Sequence, residues 1–101
     1  MGKINVLKQT LSTEYKYDGS AIIIDGAIVK NAEGNLLTEL YGTVFRPNEK
    51  GDAGVSIGNF HGYLRNGKMK YNFGNTEMEL DDQEAVLAAI KELEAKATPS
   101  E

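Results

Sequence analysis

The hydrophobic period of this chain changes once. From Ile4 to about Phe73, β-branched and aromatic residues alternate with polar ones and are broken by Gly, Asn and Asp, which predicts strands joined by tight turns. Within residues 3–17, Leu7, Leu11, Tyr15 and Tyr17 share one parity while Lys8 and Thr10 fall on the other, and Tyr17-Asp18-Gly19-Ser20 reads as a turn. Residues 20–30 are apolar on both parities, with Ile22, Ile24 and Ile28 on one and Ala21, Ile23, Ala27 and Val29 on the other. That is the pattern of a strand covered on both faces. Residues 36–46, 55–65 and 68–73 complete the strands, with a polar loop at 47–54.

Two turns set registers. Asn31-Ala32-Glu33-Gly34-Asn35 reads as a type I turn closed by Gly34 in a left-handed bulge position, which pairs Lys30 with Leu36, Gly26 with Leu40 and Ile24 with Gly42. A bulky residue then faces each glycine. Asn66-Gly67 is a two-residue type I′ signal that pairs Arg65–Lys68, Leu64–Met69, Tyr63–Lys70, Gly62–Tyr71, His61–Asn72 and Phe60–Phe73. Because side chains alternate along a strand, Phe60, Leu64, Met69, Tyr71 and Phe73 form a core face, with Tyr71 lying over Gly62. The opposite face carries His61, Tyr63, Arg65, Lys68, Lys70 and Asn72.

The period then becomes helical, predicting a helix over 81–97. Asp81 and Glu84 have capping-box spacing, and Val86, Leu87, Ile90, Leu93 and Ala97 form one apolar stripe. Pro99 follows, and residues 98–101 read as a disordered tail. The expected fold is therefore α+β: one domain over 1–97, an antiparallel meander of about five strands with one C-terminal helix packed on the sheet. The second apolar face of residues 20–30 is covered either by curling of the sheet into a partial barrel, eased by Gly26, Gly42, Gly58 and Gly62, or by a second copy.

Composition narrows the function classes. The 101 residues carry a net charge of −4, divided unevenly. Residues 1–54 sum to −1, residues 55–75 to +3 with no acid, and residues 76–101 to −6. The whole-domain basic footprint of a duplex-DNA binder is missing. The basic stretch Leu64–Phe73 is the local exception. No apolar run approaches membrane-spanning length, MGKINV lacks the shape of a secretory signal, and there is no cysteine, so the default expectation is a cytoplasmic protein without disulfides.

Candidate chemistry is sparse. Gly54-Val55-Ser56-Ile57-Gly58 matches the nucleophile-elbow string, but an elbow needs a strand-to-helix turn and here the string opens a strand. Strand alternation also predicts Ser56 and His61 on opposite faces. No phosphate loop, dinucleotide fingerprint or metal cluster is recognisable, and helix capping accounts for the acids between Glu77 and Glu84. Neither cofactor nor metal is expected, and no catalysis. Two binding classes remain. The first is a non-catalytic protein-interaction or assembly module, pairing with itself as a homodimer or with another protein. The alternative is single-stranded nucleic acid held on the hairpin face of residues 61–72, where cations meet the backbone and Tyr63 stacks on a base. Lysines at that position also guard a sheet edge against aggregation.

Overall fold

The computed structural model describes residues 10–97. The pattern read at residues 3–9 and the tail at 98–101 lie outside the described residues. Five strands, β1 (Thr10–Asp18), β2 (Ile23–Asn31), β3 (Leu37–Pro47), β4 (Ala53–Arg65) and β5 (Lys68–Asn75), precede one helix, α1 (Leu80–Ala97). Each strand pairs antiparallel with its sequence neighbour, in the order β1-β2-β3-β4-β5. This is the α+β meander that the pattern predicts. The sheet is open, with β1 and β5 at its edges, so the partial barrel is not formed among the described residues.

The Asn66-Gly67 hairpin has the predicted register at all six pairs. Asn66 at φ 52° and Gly67 at φ 79° give the two left-handed residues that a type I′ turn requires. The β2–β3 register differs from expectation. Gly34 does adopt the left-handed conformation (φ 74°), but the turn is wider: Asn31 N–H donates to Leu36 O, and Asn31 Oδ1 accepts from the N–H groups of Asn35 and Leu36. Lys30 therefore pairs with Leu37. A bulge then leaves Thr38 between the Lys30–Leu37 and Val29–Glu39 pairs, its hydroxyl donating to Val29 O at 3.1 Å.

The consequence is that Gly26 faces Gly42 directly, not Leu40. A Cβ on Gly26 would stand 1.9 Å from Tyr41 O and 2.6 Å from Gly42 Cα, so the two backbones approach more closely than any side chain permits. Tyr15, opposite Gly26 on β1, reaches along this strip and donates its hydroxyl to Tyr41 O at 3.0 Å.

One face of the sheet packs against α1. Ile24, Leu40, Val44, Ile57 and Phe60 from the strands meet Met78, Val86, Ala89, Ile90, Leu93 and Ala97 in a single buried cluster. The predicted stripe is corrected at one position: Leu87 is 49% exposed, and Ala89, at 0%, takes its place in the core. Phe73 lies on the helix-covered face as expected, but β5 is an edge strand and the ring stays 47% exposed. Two phenols fasten the helix to the two edge strands. Tyr17 donates to Glu92 at 2.7 Å, and Tyr71 donates to Glu94. The Glu92 hydrogen bond raises the pKa of Tyr17, while burial first and Glu94 second raise that of Tyr71.

The helix cap falls two residues earlier than predicted. Asp82, not Glu84, supplies the capping carboxylate, and it accepts from Glu79 N–H at 3.0 Å. Arg46 of β3 joins the same carboxylate at 2.5 Å. These contacts, the backbone one foremost, hold Asp82 below the usual carboxylate range. Asn75 fixes the approach to the helix, since its side chain accepts from Met78 N–H and donates to Met78 O. With that turn already ordered, the helix begins at Leu80.

Candidate binding surface on the open sheet face

The face opposite α1 is covered by no other described element. Across the strands its positions run Ser12–Val29–Glu39–Tyr63–Lys70, then Glu14–Ala27–Tyr41–His61–Asn72, then Lys16–Asp25–Thr43–Asn59–Gly74. All six residues singled out in the sequence share it: His61, Tyr63, Arg65, Lys68, Lys70 and Asn72. Arg65 stands directly opposite Lys68, like charge on like, a mildly unfavourable arrangement. None of Arg65, Lys68 and Lys70 is ion-paired among the described residues.

The hairpin register predicts one tyrosine on this face, Tyr63, and the structure adds another. Tyr41 pairs with His61 across β3 and β4, with ring centroids 6.0 Å apart in an edge arrangement. His61 lies 6.0 Å from Tyr63 in turn. The rings Tyr41, His61 and Tyr63 thus form a continuous path, and Phe45 lies further along β3 on the same side. Glu39 Oε2, 3.2 Å from His61 Nε2, orients the imidazole. The residue parity of Tyr41 was readable, but its position beside His61 depended on a β3–β4 register that the 47–54 loop does not specify.

Apart from the exposed Asp25, strand β2 contributes only small or already sheltered groups here. Ile23, Ala27 and Val29 are 1%, 4% and 8% exposed, flanked on both sides by residues of β1 and β3. The doubly apolar strand is therefore largely shielded within the monomer. Above it runs a shallow trough of about 700 Å³ bordered by Glu14, Lys16, Asp25, Ala27 and Tyr41.

Charge is divided by strand. Glu14, Asp18 and Asp25 make the β1–β2 side acidic, with Lys16 engaged to Asp18 at 3.6 Å, whereas Arg65, Lys68 and Lys70 make the β4–β5 side basic.

A bulge changes one expectation about Ser56. Ile57 is the extra residue between the Val44–Gly58 and Phe45–Ser56 pairs; it turns into the core at 1% exposure, and its carbonyl accepts from the N–H groups of Thr76 and Glu77. Ser56 consequently shares the open face with His61 instead of opposing it. The two remain roughly 13 Å apart along the strand, too far for proton transfer. No group of three or more His, Asp or Glu side chains able to hold a metal occurs among the described residues, nor does any helix long and apolar enough to cross a membrane. Comparison with protein-family models, with curated proteins and with solved structures finds no match.

Proposed function

We propose that this protein is a non-catalytic interaction and assembly module of the cytoplasm, and that the open sheet face is its working surface. The observation that carries the reading is the row Tyr41–His61–Tyr63, laid across a face that no described element covers. Tyrosine offers a large, stiff contact area at small cost in side-chain entropy, and tyrosines are enriched at the centres of protein interfaces. Sedimentation velocity at micromolar concentration tests it: the protein is expected above its 11.0 kDa monomer mass. Tyr41→Ser combined with Tyr63→Ser should return it to the monomer with an unchanged circular dichroism spectrum. A wild-type protein that sediments as a clean monomer would overturn the reading.

The same rings favour a second reading, single-stranded nucleic acid, because they adjoin Arg65, Lys68 and Lys70. Base stacking contributes roughly 1–3 kcal/mol per ring. A short oligonucleotide would bind at near-micromolar strength, with a log–log salt slope of about 0.7 per phosphate contact and thus no more than about 2 for three cations. Tyr63→Ser should weaken it by one stack. Absence of binding at low salt, or binding unchanged in Arg65→Ser with Lys68→Ser, would leave the cations as guards of the sheet edge.

A further inference from the structure

We propose that the free edge of β5 takes up an extended acidic segment of a partner protein as an added strand, anchored by an apolar side chain in the cleft between β5 and α1. The site is separate from the Tyr41–His61–Tyr63 row. In a two-residue hairpin Arg65 and Lys68 form the hydrogen-bonded pair next to the turn, so alternation gives Lys68, Lys70 and Asn72 the ladder bonds to β4. The N–H and C=O groups of Met69, Tyr71 and Phe73 therefore point outward, and no described strand lies on that side. Lysines guard one end of this edge; past Tyr71 it continues as Asn72-Phe73-Gly74-Asn75, without a charge.

The two sides of this edge differ, and together they define the segment that fits. On the helix side, Phe73, Met78, Val86 and Leu87 line a cleft of about 150 Å³, a volume that holds benzene in an engineered core cavity. Phe73 and Leu87 remain half-exposed at its mouth. On the other side stand Lys68 and Lys70, with Arg65 behind them on β4, in a stretch of net charge +3 with no acid. Side chains of an added strand alternate between these two sides. The matching segment is thus apolar at every second position and acidic in between. In antiparallel pairing its acids fall at the non-hydrogen-bonded positions opposite Lys68 and Lys70, where strands come closest, about 4.5 Å between Cα atoms. Main-chain bonds then give affinity, while the cleft and the cations give selectivity. Neither residues 1–9 of this chain, with Lys3, Lys8 and no acid, nor a second β5, which brings its own lysines, has that pattern.

The labelled peptide Glu-Val-Glu-Phe-Glu-Val-Glu, titrated with the full chain and followed by fluorescence anisotropy, tests the proposal. It should bind at low salt and weaken as salt rises, whereas the same peptide with Lys for Glu should not bind. N-methylation of its Val and Phe residues, whose amides donate to β5 in this pairing, should abolish binding. N-methylation of its Glu residues should leave binding unchanged. Lys68→Glu with Lys70→Glu should weaken it at least tenfold, Leu87→Ser several-fold, and Tyr41→Ser not at all. Amide exchange followed by NMR should slow at Met69, Tyr71 and Phe73 when the peptide is added. No binding up to about 1 mM peptide, binding indifferent to which residues are N-methylated, or protection at β1 in place of β5 would overturn the proposal. So would exchange at those β5 amides that slows with protein concentration alone, since a second copy would then hold the edge.

Discussion

Ile90→Ala is expected to cost about 2–5 kcal/mol of folding stability, whereas Leu87→Ala should cost less than about 1 kcal/mol. Both residues lie on α1 and both belong to an apolar stripe by spacing, so the contrast isolates what burial adds. Ile90 is 5% exposed within the cluster formed with the sheet, and truncating it opens a void between two rigid layers. Leu87 faces the solvent side of a small cleft between β5 and α1, shared with Phe73, Met78 and Val86. Urea unfolding followed by circular dichroism measures both. Equal losses would show that the helix is rotated about its axis relative to the packing described here. A loss below about 0.5 kcal/mol at Ile90 would show that the helix does not dock.

Gly26→Ala should be at least as damaging, at about 3 kcal/mol or more, although it adds a single methyl group. Overpacking usually costs about 1–3 kcal/mol when side chains can shift. Here the methyl meets the backbone of Tyr41 and Gly42, which cannot move without breaking the β2–β3 ladder. Gly67→Ala provides the comparison. Nothing lies within 4 Å of a Cβ at Gly67, so its cost comes only from the left-handed backbone, about 1 kcal/mol. Thermal unfolding of the two variants should rank them clearly, and similar midpoints would refute the close approach.

The parts of this fold that were legible in the sequence are those set by local geometry. Asn66-Gly67 fixes a hairpin with no slack in the connection, and six pairs follow from two residues. The β2–β3 register was not legible because two separate residues are inserted, one in the Asn31 turn and one at Thr38. Each depends on a side-chain hydrogen bond that periodicity does not reveal. On α1, Val86 and Leu87 are neighbours at one border of the apolar arc, and only docking decides which way the arc turns. Ala89 lacked the bulk that marks a core position, yet its small size lets the helix approach the sheet. The candidate surface was half visible. Its β4–β5 side followed from the hairpin, while Tyr41 and the opposing acids became part of it only through pairings across bulges and a long loop.

The strand order also governs the way the chain can fold. Every strand is hydrogen-bonded to the one made just before it, so the sheet can grow by successive short loop closures, each with a small entropic cost. During synthesis, β1 to β3 can zip together while β5 is still unmade. The covering helix is supplied last: until Leu80–Ala97 emerge, Ile24, Leu40, Val44 and Phe60 have no lid. A nascent chain stalled near Asn75 would therefore present a paired but sticky sheet, the kind of species that chaperones hold. The order of the elements makes α1 both the final piece of the core and the step that ends this exposure.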